Sequence, residues 1–246
     1  MKAAPAQQRR LLDLQETDTR LDQLAYAVRT LRQHKELEQV SARLAATDVE
    51  LVNARTHLSD TRREQARAEA DVELVRERAA RNRARLDAGI GTAKELQGLQ
   101  SEQQSLARRQ GDLEEIELEV MERVEALEHR VDQLASTREE VAAEQTVIER
   151  EKAAALDTFA GEAAEVERRR AAILPELAAD LVALYGKVRA STGGVGAAAL
   201  RQRRCGGCEL ELNRLELDRI RTAPADDVVR CQECGRILVR THESGI

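Results

Sequence analysis

Four cysteines, Cys205, Cys208, Cys231 and Cys234, are the only ones in this chain. They form two C-x-x-C pairs, Cys205-Gly206-Gly207-Cys208 and Cys231-Gln232-Glu233-Cys234. A thiolate pair at this spacing wraps its backbone around one edge of a metal ion. Two pairs complete a tetrahedral all-sulfur shell with no open position. One structural Zn(2+) is the expected cofactor; iron in the same geometry and a redox dithiol pair are the alternatives. Gly206, Gly207 and Gly235 suit the tight backbone turns around the sulfurs. His242 is near, but four thiolates already close the shell. Catalytic zinc needs an open position, and His34, His57, His129 and His242 are scattered without a paired acid or base. No enzyme activity, catalytic residue or small-molecule substrate is expected.

The elements around the cysteines read as a small β-rich module, residues 200–246. Glu209-Leu210-Glu211-Leu212 is expected as a strand, and Asn213 with Glu216 as a helix start. Val228-Val229-Arg230 and Arg236 to Arg240, on either side of the second knuckle, are expected as a hairpin. So small a module has little core, so metal binding supplies much of its folding energy.

The rest of the chain is mainly α. It has one Phe, two Tyr and no Trp, with 34% charged residues and a net charge of −6. That mix fits a coiled coil better than a large globular core, and the mild acidity draws the whole chain toward neither nucleic acid nor anionic membrane. Leu99, Leu106, Leu113, Val120, Leu127, Leu134, Val141 and Ile148 repeat at strict heptad spacing, a coiled-coil seam. The companion position carries Gln103, Gln110 and Glu117, so the core there is thin and partly polar. A second seam runs through Leu37, Leu44, Leu51, Leu58, Gln65, Val72, Ala79 and Leu86, with a discontinuity expected across Arg32–Glu36. Gly89 suits a left-handed cap, and Thr92 with Glu95 forms a capping box. Two arms of about 80 residues around this turn predict an antiparallel hairpin over residues 1–172, turning near 87–92. Residues 173–199 are expected to hold a short helix, with Pro175 in its first turn and Leu177, Leu181, Leu184, Tyr185 and Val188 on one face. That helix folds back on the hairpin base, and Ser191–Gly196 follows as a flexible joint.

The arginines between Arg62 and Arg85 face acids such as Glu102, Glu114 and Glu117 in the opposite arm, which predicts cross-helix ion pairs rather than an RNA stripe. Arg168, Arg169 and Arg170, together with Arg201, Arg203 and Arg204, are the candidate nucleic-acid contacts near the joint. With no aromatic platform for stacking, RNA or DNA binding there is expected to be non-specific and salt-dependent.

Taken together, the two knuckles, the stretch Ala93-Lys94-Glu95-Leu96-Gln97-Gly98-Leu99-Gln100 after the turn, and Leu174-Pro175 through Tyr185 resemble a bacterial family. Its members have a long N-terminal coiled-coil hairpin and a C-terminal C4-type zinc ribbon. The resemblance covers most of the chain and implies zinc ligands at Cys205, Cys208, Cys231 and Cys234. It also implies an adaptor role of the kind linked to an alternative sigma factor, to flagellar or secretion components, and to messenger RNA. The expected partners are proteins, with RNA or DNA as the alternative. A monomer or weak dimer is expected. With no apolar signal core after Met1 and no run long enough to span a bilayer, a cytoplasmic location is expected and no membrane partner.

Overall fold

The computed structural model describes all residues, 1–246. Five α-helices and four short strands follow in order: α1 (Pro5–Arg29), α2 (Arg32–Asp87), α3 (Ala93–Ile173), α4 (Ala179–Ser191), β1 (Ala197–Arg201), β2 (Arg204–Cys205), α5 (Arg214–Thr222), β3 (Val229–Arg230) and β4 (Ile237–Val239). They make two compact units: Lys35–Glu149, and Met1–His34 with Arg150–Ile246. No helix is long and apolar enough to cross a membrane.

The unit Lys35–Glu149 is the antiparallel hairpin of α2 and α3. Its heptad seam faces inward: Leu99, Leu113, Val120, Leu134 and Val141 are buried, and Leu106, Leu127 and Ile148 half-buried. Leu51 and Ala54 pack on Leu134. The core thins toward the turn, where Thr61 and Asn82 are buried and Gln103, Gln110 and Glu117 half-buried. The turn has the expected chemistry. Gly89 sits at φ +62°, the left-handed region. The Thr92 amide donates to Glu95 Oε2 at 2.6 Å, and the Glu95 amide returns a longer bond to Thr92 Oγ1 at 3.4 Å. The arginines before the turn make the cross-helix pairs Arg62–Glu128, Arg76–Glu114 and Arg78–Glu102, while Arg63, Arg81 and Arg83 pair within their own helix. Exposed pairs of this kind are worth about 0.2–1 kcal/mol each, so they mainly select alignment.

In the other unit, α1 lies antiparallel to the end of α3. The discontinuity falls at Thr30-Leu31, slightly before the expected Arg32–Glu36. Thr30 closes α1 there, its amide and hydroxyl both donating to the Tyr26 carbonyl. Pro175 does not open α4. It lies in a 3₁₀ turn, Leu174–Glu176, that ends α3, and α4 starts at Ala179. A proline lacks the N–H that would continue the α ladder. Helix α4 folds onto α1, burying Leu181, Tyr185 and Val188 with Leu11, Leu14, Ile173 and Leu177.

The strands form one sheet in the order β2-β1-β4-β3, with β1 and β4 parallel and the other pairs antiparallel. Side chains alternate between its faces. Ala197 and Ile237 join the core under α1 and α4, whereas Ala198 and Leu238 join a second core with Leu212, Leu217, Ile220 and the cysteines. Two expectations need correction. Glu209–Leu212 is not a strand. Its backbone serves the knuckle: the Glu209 amide donates to the Cys205 carbonyl, and the Leu210 carbonyl accepts from the Cys205 amide. Ser191–Gly196 is not a free joint. Gln15 Oε1 accepts from the Gly196 amide at 2.6 Å, its Nε2 donates to the Gly194 carbonyl at 2.9 Å, and Arg236 Nη2 donates to the Thr192 carbonyl at 2.8 Å. The N-terminal residues add to this clasp. Ala3 is buried, its amide donates to the Asp226 carbonyl, and the Val228 amide donates to the Met1 carbonyl.

Candidate metal centre

The first knuckle begins at Cys205, the last residue of β2, and the second bridges β3 and β4. The four Sγ atoms lie within 4.8 Å of one another. Cys205 and Cys234 are 3.8 Å apart, and Cys208 and Cys231 4.0 Å apart. A tetrahedron of sulfurs about 2.3 Å from a zinc ion has edges of about 3.8 Å. The donors are therefore already spaced for one closed Zn(2+) shell. Two sulfurs come from each knuckle, and each of these two close contacts joins one knuckle to the other.

The surroundings explain the residues between the cysteines. The Gly206 amide donates to the Ala199 carbonyl at 2.9 Å, and a Cβ at Gly206 would stand 2.9 Å from that oxygen. A Cβ at Gly207 would stand 2.4 Å from Arg236 Cδ. Gly235 has φ +73°, and its amide donates to the Cys231 carbonyl. The motif thus needs glycine in its interior for close approach, and after the second knuckle for a left-handed turn.

The metal-free thiols differ in how readily they ionise. Burial pushes the Cys205 thiol above its ordinary value and Cys231 up to about 12. Burial acts the same way on Cys234, but hydrogen bonds from the Arg236 amide and side chain, together with the neighbouring thiols, outweigh it and hold Cys234 at about 7. A buried thiol cluster resists ionising unless a cation compensates the thiolates.

Two supports were not singled out from the sequence. Arg236, two residues after Cys234, ties the second knuckle to the segment before β1 through Nε to the Val195 carbonyl and Nη2 to that of Thr192, and its side chain passes against Gly207 of the first. Glu216, 2% exposed, accepts the Gln232 amide of the second knuckle at 2.9 Å. Its position was legible only as a helix start, because Asn213 Oδ1 accepts from the Glu216 amide at 2.8 Å. A carboxylate three residues into a helix gave no sign that it would reach another loop.

The six candidate nucleic-acid arginines are not brought together by any shared partner. Arg168 pairs with Glu165, and Arg170 Nε donates to the buried Asp18 at 2.6 Å. Arg169 lines a groove with Arg10 and Arg20. Arg201 pairs with Glu243, and Arg203 stands 4.0 Å from Glu211. Arg204 is exposed in β2. Arg203 instead shares a groove with Arg214 and Arg221 of α5.

A helical hairpin joined to a four-cysteine zinc ribbon defines the class of this protein. Residues 14–193 match the CT398-like coiled coil hairpin domain, and residues 204–238 the C4-type zinc ribbon domain. The chain belongs to the CT398-like coiled-coil hairpin family. An uncharacterized protein of Mycobacterium tuberculosis is 37% identical over 244 residues, 98% of each chain. A solved structure from Mycobacterium smegmatis is 38% identical with a TM-score of 0.84, covering 98% of this chain and all of that one. The structure of CT398 from Chlamydia trachomatis shares the fold at 16% identity, with a TM-score of 0.67 and coverage of 96% and 98%.

Proposed function

We propose that this protein is a non-enzymatic adaptor that binds protein partners, in regulation of the transcription or secretion and motility type. Its zinc ion is read as structural. The observation that carries the reading is a set of large apolar side chains left on the outer faces of α2 and α3. Val52, Leu74 and Leu118 are 60%, 63% and 59% exposed although the seam between the helices is filled. A hairpin with its own core closed and aliphatic residues outside offers contact area on a stiff support. The closed sulfur shell is consistent with this, since it leaves no coordination position for a substrate. The test is mild crosslinking of zinc-loaded protein in a lysate of its source, split into nuclease-treated and untreated halves. Proteins retained after nuclease, and lost when Val52 and Leu118 are both changed to Glu, support the adaptor. Capture of no protein refutes it.

Nucleic-acid binding through the ribbon is the second reading. It is favoured by the groove that brings Arg203, Arg214 and Arg221 together, although Asp218 in the same groove pairs with Arg221. Material that disappears with nuclease, and with charge reversal of Arg201, Arg203 and Arg204, would select this reading.

A further inference from the structure

Helix α4 shows how the space between α1 and α3 is filled. Its contacts advance along α1 in step: Tyr185 reaches Gln15 and Asp18, and Arg189 reaches Asp18 and Asp22. It therefore runs parallel to α1. At Ser191 the helix ends, and the chain turns away through Gly193 and Gly194, both in the left-handed region. The seam that α4 covers continues past this point. Leu21, Leu24 and Val28 of α1 and Ala163, Phe159 and Leu156 of α3 line an open groove of about 940 Å³. Phe159 is the only Phe in the chain, and it is half-exposed here.

The groove has electrical polarity. Asp22 and Glu167 stand at the end where α4 stops, and Arg29 stands at the other. Asp22 already holds Arg189, whereas Glu167 and Arg29 have no ion pair within the chain. A helix lying here with its positive N-terminal end at the carboxylates and its negative C-terminal end at Arg29 is favoured at both ends. That direction is the direction of α4.

We propose that this groove receives an amphipathic helix of a partner protein, laid end to end with α4 and in the same sense. The proposal rests on the adaptor reading and gives that reading a defined surface. The open stretch from Leu21 to Val28 is about two helical turns. Ala25, Ala160 and Ala163 keep the groove walls low, leaving room for large aliphatic side chains at i, i+3 or i+4, and i+7 of the incoming helix. Its first turn is basic and its last turn acidic.

The probe is a fluorescein-labelled synthetic helical peptide of about four turns, with leucines at that spacing, lysines in the first turn and glutamates in the last. Anisotropy is measured against the full-length, zinc-loaded chain. Saturable binding is expected, about tenfold weaker for a peptide with the two charged turns exchanged, both peptides being lactam-stapled to equal helix content because the exchange by itself favours the free helix. Ala160→Glu, on an exposed helix position, should weaken binding by at least about tenfold while leaving helix content and zinc content unchanged. A photo-crosslinker at Ala163 in the source organism should then join to a helical segment of this pattern. The proposal is overturned by absent binding, by equal affinity for the charge-exchanged peptide, by indifference to Ala160→Glu, or by crosslinks that reach only a second copy of this chain. A peptide that fails to bind leaves the lysate capture untouched, so failure of the groove and failure of the adaptor reading are told apart.

Discussion

Asp18→Ala should destabilise the clasp between α1, α4 and the ribbon sheet more than loss of any one of its partners. The Asp18 side chain is 4% exposed. It accepts from Arg170 Nε at 2.6 Å and from the Tyr185 hydroxyl at 2.7 Å, with Arg189 Nε at 3.5 Å. Hydrogen bonds to a charged group are worth about 1.5–3 kcal/mol each. Removing one member of a buried charged set costs about 3–5 kcal/mol, because the rest is left uncompensated. Tyr185→Phe removes one of those bonds and leaves Asp18 with its arginines, so about 1–3 kcal/mol is expected. Arg170→Ala leaves the buried carboxylate with Arg189 Nε at 3.5 Å and the Tyr185 hydroxyl. Because the Arg170 side chain is 37% exposed, water replaces part of what it gives, so its cost should fall below that of Asp18→Ala. Hydrogen exchange at α4 and β1 amides measures these losses locally and avoids assuming that two compact units unfold together. Equal protection in Asp18→Ala and Tyr185→Phe would refute the claim that Asp18 is the shared acceptor.

Further outcomes follow from the same structure. Gly206→Ala should weaken zinc retention in a chelator competition more than Gly98→Ala, because a Cβ at Gly206 meets a backbone oxygen at 2.9 Å and one at Gly98 meets nothing within 4 Å. Asn82→Leu should raise the apparent Tm of the hairpin, by about 1–3 kcal/mol of stability, because Asn82 Nδ2 is buried without a hydrogen-bond partner. The same change loosens register, which a buried asparagine helps to fix, and disulfide trapping across α2 and α3 would reveal it. The Glu95 carboxyl is held below its ordinary range chiefly by the Thr92 amide and then by the Thr92 hydroxyl. A depressed folded value contributes above the unfolded one and is lost as pH falls through it, so the start of α3 should fray in acid. The Thr92 amide resonance should follow that fraying, and Glu95→Gln should flatten the pH response.

The elements the sequence announced most clearly were those held by local chemistry. The seam through Leu99 to Ile148, the Thr92–Glu95 box, the Asn213 cap and the pairing of Val229-Arg230 with Ile237–Val239 each carry their signal within a few residues. The four zinc ligands did so too, because their spacing is itself the chemistry. What could not be read was set by distant partners. Ala197-Ala198-Ala199 has no strand signature and becomes one by pairing with Ile237, Leu238 and Val239. Ser191–Gly196 looks like a flexible link until Gln15, far away in sequence, fills its hydrogen bonds. Glu209–Leu212 alternates like a strand, but its backbone is taken by the first knuckle. Arg168–Arg170 read as a basic cluster, yet Arg168 pairs along its own helix and Arg170 turns inward to Asp18.

The central claim is a closed, structural four-thiolate zinc site, and X-ray absorption at the zinc edge on the purified full chain tests it most directly. One zinc per chain is expected, with four sulfur neighbours at about 2.3 Å and no lighter atom in the shell. A shell containing nitrogen or oxygen, or a chain isolated with iron or without metal and with its fold intact, would contradict it.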